Sequence, residues 1–216
     1  TKNVALFAVA SIAFLLCGYE IMYGWNEPET HSMYADFFFQ MVFVATAMSV
    51  VSGAVAERKK LWSFLIFSAV FTALIYPLEG TWTWGGGFLS ELGFFDFAGS
   101  GIVHMAGAAA ALAAVIIIGP RDGKYDKNGK PKNISGSNMP LVALGTLILW
   151  LGWFFFNGGS QLAFSTVIDA QALGKIFVNT NMAAAGGLLG AMIVSKLWTK
   201  RVVLNVTLNG ALAGLV

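Results

Sequence analysis

Seven apolar runs, at residues 4–24, 37–56, 61–78, 97–119, 139–158, 172–195 and 202–216, dominate this 216-residue chain. Each of the first six approaches the ~20 residues that a helix needs to cross a hydrocarbon core ~30 Å thick. Backbone N–H and C=O groups find no water in that core, so they must pair within their own segment, and helices are the natural solution. The chain is 57% hydrophobic and 11% charged, whereas a soluble domain carries roughly a quarter charged residues. The expected fold class is therefore an all-α polytopic membrane protein with six full spans and part of a seventh.

The connections between the runs alternate in charge, which supports the span count independently of hydropathy. One set contains Lys2, then Arg58, Lys59 and Lys60, then Arg121, Lys124, Lys127, Lys130 and Lys132, then Lys196, Lys200 and Arg201, or 12 of the 13 lysines and arginines. The other contains Glu27, Glu29, Asp36, Glu79, Glu91, Asp96 and Asp169, against a single Lys175. The positive-inside rule assigns the basic set to the cytoplasm, so the first and the shortened seventh runs both head outward. The net charge of +2 gives no reason to expect a nucleic-acid partner. The single Cys17 lies in an apolar run, reads as a small packing residue, and allows no disulfide within one chain. The chain opens at Thr1 and closes at Val216 inside an apolar run, a pattern expected of an internal piece of a longer protein.

The connection 79–96 is rich in aromatic residues and glycine, with Trp82, Trp84, Gly85, Gly86, Gly87 and Phe88. Aromatics at this level suit an interface belt, and three glycines in a row predict a fixed bend packed against protein. Gly186 with Gly190, Gly210 with Gly214, and the alanine-rich run from Gly107 to Ala114 have the spacing of close helix contacts. Asn133-Ile134-Ser135 and Asn205-Val206-Thr207 match a glycosylation pattern, the first on the cytoplasmic side and the second inside a span, and both read as chance matches.

Several residues need more than topology to explain them. His104 falls about two turns inside the run 97–119. An ionisable group at that depth is costly, so it is a functional candidate; it could equally be a neutral histidine bonded to a neighbouring helix. His31 falls in an outer connection and reads as solvated. Asp96 stands just before a span, where a carboxylate accepts the unpaired N–H groups of the first turn. Glu20 and Lys175 stand near span ends and read as snorkelling side chains. Phe39 and Phe43 near the start of the second run, Trp84 after the third, and Trp153, Phe156 and Ser160 at the end of the fifth all reach the same membrane level. Rings with a hydroxyl suit a small cation, for which cation–π attraction is worth ~0.5–2 kcal/mol; a lipid-facing aromatic belt is the alternative. No His, Cys, Asp or Glu set at one depth suggests a metal centre or an enzyme.

These stretches together resemble the ammonium transporter (Amt) family. The matching residues are Gly53-Ala54-Val55-Ala56-Glu57-Arg58, Trp84-Gly85-Gly86-Gly87, Asp96-Phe97-Ala98-Gly99 with Val103-His104, Gly152-Trp153-Phe154 with Phe156-Asn157-Gly158-Gly159-Ser160, Phe177-Val178-Asn179-Thr180, and Asn209-Gly210-Ala211 with Ala213-Gly214-Leu215-Val216. They follow one another in family order from its second helix into its eighth. The resemblance implies that residues 1–216 are one transmembrane domain, part of an eleven-helix bundle of two inverted halves. It implies a homotrimer with one pore per subunit, no cofactor, the lipid bilayer and ammonium or ammonia as partners, and a PII-type signal protein as cytoplasmic regulator. It implies that Trp84 and Ser160 recruit ammonium, that Phe43 and Phe156 form a gate with Phe39 and Trp153 nearby, that Asp96 supports the outer vestibule, and that His104 is the first of two pore histidines. The second falls beyond Val216. Glu20 stands where a small polar residue is usual, and Phe155 replaces a common glycine. An ammonium sensor built on the same fold is the competing reading. The Trp84-Gly-Gly-Gly and Phe177-Val-Asn-Thr stretches count against the related Rh-type channels.

Overall fold

The structure, a computed structural model, describes residues 2–26, 31–134 and 136–216. Glu27 and Glu29 of the acidic set, and Ser135 of the first glycosylation-like match, lie outside these residues. Six helices are long and apolar enough to cross a membrane: α1 (Lys2–Met22), α2 (Met33–Ala54), α3 (Leu61–Thr81), α4 (Ser100–Ile118), α5 (Met139–Gly159) and α6 (Val167–Thr199). A shorter apolar helix, α7 (Leu204–Leu215), follows. No β-strand is formed among the described residues.

Two boundaries differ from the sequence reading in ways that matter. The apolar run 61–78 stops at Glu79, but α3 continues through Glu79 and Gly80 to Thr81, so Glu79 belongs to the span. The run 172–195 is the middle of a 33-residue helix. Its start is set by a capping box in which Thr166 Oγ1 accepts from the Asp169 N–H and Asp169 accepts from the Thr166 N–H. Asp169 is therefore a helical residue rather than a member of a loop, and Lys175 lies about two turns inside the helix.

The chain divides into two compact units, Thr1–Asn133 and Ile134–Val216. In the first, α1 packs on α2 and α3, and α2 packs on α4. Small residues let the backbones approach: a methyl on Gly107 of α4 would lie 2.6 Å from the Ala47 carbonyl oxygen of α2. Where α1 meets α3, both helices carry a π-helical turn, Phe14–Gly18 and Phe71–Ile75. A Cβ on Gly18 would come within 2.9 Å of the Thr72 carbonyl oxygen, so the two wide turns nest through glycine. The glycine bend after α3 is fixed as predicted. Gly86 takes φ 76°, Gly87 donates to the Thr81 carbonyl at 2.8 Å, and a Cβ on Gly85 would meet the Met22 carbonyl oxygen at 2.7 Å.

At the basic end of this unit the arginine of the Glu57-Arg58 pair ties two helices together. The Arg58 guanidinium donates to the carbonyls of Ala54, at the end of α2, and of Gly119, just past α4. Carbonyls in the last turn of a helix have no partner of their own, and a cation there also complements the helix dipole. Arg58→Ala is expected to destabilise the unit by about 1.5–3 kcal/mol, measurable as a lower thermal midpoint in detergent; an unchanged midpoint would show that water serves these carbonyls equally well.

In the second unit α7 returns along α6. The predicted glycine contact is shifted by one residue. Gly186 and Gly190 face open space, whereas Gly187 lies against Gly210 and Gly214 of α7. Asn157 on α5 donates to Thr180 Oγ1 on α6 at 3.0 Å.

Candidate functional site

Asp96 organises the acidic end of the first unit. Its Oδ1 accepts from the Gly99 N–H at 2.7 Å, and its Oδ2 from the N–H groups of Gly101 at 2.9 Å and Ile102 at 2.8 Å. These are the orphan donors of the first turn of α4, so the carboxylate acts as the helix cap that its position suggested. Gly99 supplies the left-handed conformation, φ 105°, that turns the chain into the helix. The backbone carbonyl of Asp96 is engaged as well, accepting from Trp84 Nε1 at 2.8 Å. One residue therefore fixes both the start of α4 and the orientation of the indole.

With its N–H already satisfied, Trp84 has its π-face to offer. The ring stands 5.8 Å, centroid to centroid and tilted by 37°, from Phe43 of α2, and Phe43 lies 4.4 Å from Phe39. Phe43 is buried, and Trp84 and Phe39 are half-buried. The structure thus brings Phe39, Phe43, Trp84 and Asp96 together at one end of the unit.

His104 lies farther along α4, in the π-helical turn Ser100–Met105 that opens the helix. Its N–H bonds to the carbonyl of Gly99, five residues back, at 2.9 Å. The extra residue per turn changes the direction in which the imidazole leaves the helix. His104 is half-buried, and His31 is exposed.

The second unit carries the other candidate residues. Trp153 and Phe156 of α5 form a ring pair with centroids 5.8 Å apart. Ser160 ends the same helix, is 9% exposed, and donates its hydroxyl hydrogen to the Phe156 carbonyl at 2.9 Å. That bond directs the oxygen lone pairs away from the helix, so Ser160 is an acceptor. Phe155, on the same helix, is 70% exposed. Glu20 accepts from the Trp25 N–H at 3.0 Å and closes the turn after α1.

The sequence reading missed two polar residues on α3, the buried Tyr76 and the half-buried Glu79. A groove of about 650 Å³ is walled by α3 and α4, with Phe64, Phe67, Ala106 and Ala110 among its apolar residues and Tyr76 and Glu79 at its acidic end. The Tyr76 hydroxyl and Glu79 Oε2 are buried with no hydrogen-bond partner among the described residues. The available signal was Glu79 itself, an ionisable residue directly after an apolar run.

The fold and these sites define a multi-pass α-helical membrane protein with an aromatic cluster at one end of its spans and a histidine within one of them. The chain matches the Ammonium Transporter Family over residues 1–216 and belongs to it. It is 43% identical over 239 aligned residues to the ammonium transporter Amt2 of Archaeoglobus fulgidus, covering all of this chain and 50% of that protein. It is 38% identical to the ammonium transporter Amt1 of Methanocaldococcus jannaschii, covering 97% of this chain and 53% of the relative. Among solved structures, one named as a sensor Amt protein superposes with a TM-score of 0.90 at 37% identity, over 99% of this chain and 57% of that one. The chain spans about half the length of the curated relatives it matches.

Proposed function

We propose that this chain supplies part of the pathway of an ammonium transporter in which ammonium is recruited at an aromatic outer site and passes inward as ammonia, with its proton carried separately. The observation that best supports this reading is the Phe39–Phe43–Trp84 cluster, whose indole is held by the Asp96 carbonyl. A fixed indole face attracts a small cation at little reorganisation cost, and the fixed Asp96 charge draws cations to this end. Ser160 adds a hydrogen-bond acceptor, which ammonium can satisfy and an alkali ion cannot. Phe43 and Phe156 exclude water. A full charge in a dry apolar passage is costly, so deprotonation is favoured there, and the imidazole of His104 offers a donor and an acceptor to neutral ammonia.

In this reading residues 1–216 are one piece of an eleven-helix domain in the cell membrane. The basic connections face the cytoplasm, the subunits form a homotrimer, and a PII-type protein regulates from the cytoplasmic side. The relatives named as transporters favour conduction over an enzymatic role. The solved neighbour named as a sensor supports a second reading, in which ammonium binds without crossing.

The test is ammonium-dependent current from the intact protein in proteoliposomes. Conduction predicts a saturable current, a half-saturating concentration raised by about tenfold in Trp84→Leu, and an altered current in His104→Ala. Saturable ammonium binding with no current would select the sensor reading, and neither binding nor current would refute both.

A further inference from the structure

The groove between α3 and α4 carries a charge pattern that packing alone does not require. It follows almost the whole of α3, from Lys59 and Ser63 at the basic end to Glu79 and Trp82 at the acidic end, a length of about 30 Å. Its walls between these ends are apolar, with Phe64 and Phe67 on α3 and Ala106, Ala109, Ala110 and Ala113 on α4. The methyl side chains of α4 are too small to fill the space. Leu78 and Trp82, which line the acidic end, are exposed and leave that end open to entry.

Tyr76 and Glu79 are three residues apart and share one face of α3. Tyr76 is 1% exposed, and its hydroxyl has no hydrogen-bond partner among the described residues. Glu79 Oε2 is likewise buried and without a donor. Glu79 forms no ion pair among the described residues and lies within electrostatic reach of a second carboxylate, Asp96. A buried carboxylate oxygen without a donor is costly, and a nearby like charge adds to the cost. Phenylalanine at 76 and leucine at 79 would wall an apolar groove without either cost. Trp84 and Phe43 do not line the groove, so this end is separate from the aromatic cluster.

We propose that the groove binds a primary alkylammonium, with the –NH3+ head donating to Glu79 Oε2 and to the Tyr76 hydroxyl oxygen and the alkyl tail lying between the phenylalanines of α3 and the alanines of α4. The head has three N–H donors for the two unserved oxygens, and the Trp82 indole beside it offers a π-face to the cation. Lys59 at the far end repels a cation and so fixes the orientation. Bare ammonium would meet the carboxylate but leave the apolar length unfilled. An alcohol with the same tail would fill that length without meeting the charge. The proposal does not depend on the transport reading.

The test is equilibrium binding of radiolabelled hexylammonium to the intact protein in phosphatidylcholine nanodiscs, corrected for uptake by empty nanodiscs. The wild type is expected to bind it saturably and about tenfold more tightly than ammonium, and hexanol at the same concentration should not displace it. Glu79→Gln, which keeps the volume and removes the charge, should weaken binding about tenfold without lowering the thermal midpoint. Tyr76→Phe should weaken it about threefold. Ala110→Phe, which fills the groove beside the tail, should weaken it about tenfold. Trp84→Leu should leave it within about twofold, which separates this site from the outer aromatic one. Unchanged binding in Glu79→Gln or in Ala110→Phe, displacement by hexanol, a loss in Trp84→Leu as large as that in Glu79→Gln, or no saturable binding to the intact protein would each overturn the proposal.

Discussion

Replacing Asp96 with alanine is expected to cause a large loss of stability, about 3–5 kcal/mol. The carboxylate accepts three backbone N–H groups at the start of α4, from Gly99, Gly101 and Ile102. Bonds to a charged acceptor are stronger than neutral ones, and alanine leaves all three donors unpaired beside an apolar span. Asp96→Asn is the informative companion, because one carboxamide oxygen can keep part of the set while the charge is lost. The thermal midpoint in detergent should fall in the order wild type, asparagine, alanine. The indole should report the same change: the Asp96 carbonyl holds Trp84 Nε1, and disorder at the start of α4 releases it. A Trp84 emission shift should therefore accompany the lower midpoint in the alanine variant. A midpoint unchanged by Asp96→Ala would show that water caps the helix just as well and that the carboxylate is there for its charge alone.

How far such contacts were legible depends on whether they are local. The Asp96 cap was, because an acid just before an apolar run can act on the next turn without any knowledge of the tertiary fold. The six spans were legible from length, apolarity and the alternation of charge. The end of α3 was not: Glu79 and Gly80 look like a helix stop, but the helix carries them on, with Thr81 donating from its hydroxyl to the Leu78 carbonyl at 2.7 Å. That error placed a helical carboxylate in a loop and hid its neighbour Tyr76. The start of α6 was misplaced because the charge of Asp169 was read as loop, although Thr166 and Asp169 have capping-box spacing. Nothing in the local pattern pairs Phe43 with Trp84, 41 positions apart. That expectation rested on family resemblance, and the ring contact supplies its geometry within the first unit.

The glycines of α6 show what periodicity can and cannot locate. Small residues at four-residue spacing predicted a close contact through Gly186 and Gly190, and the contact forms instead through Gly187. One residue turns a helix by about 100°, so a run with glycine at both 186 and 187 leaves the contacting face undecided. In the folded unit a Cβ on Gly187 would lie 2.9 Å from both the N and the Cα of Gly214, while a Cβ on Gly186 meets nothing within 4 Å. Gly187→Leu must therefore push α7 off α6, and because backbone faces backbone, no side chain can yield instead. Overpacking of this kind is expected to cost about 3 kcal/mol or more. Gly186→Leu adds the same atoms one position away and should stay within about 0.5 kcal/mol of the wild type, as a substitution into open surface does. Thermal unfolding and limited proteolysis of the two variants side by side measure the difference. A similar loss in both would mean that leucine is resisted along the whole α6 surface, and a loss confined to Gly186→Leu would place the α6–α7 contact on the other face.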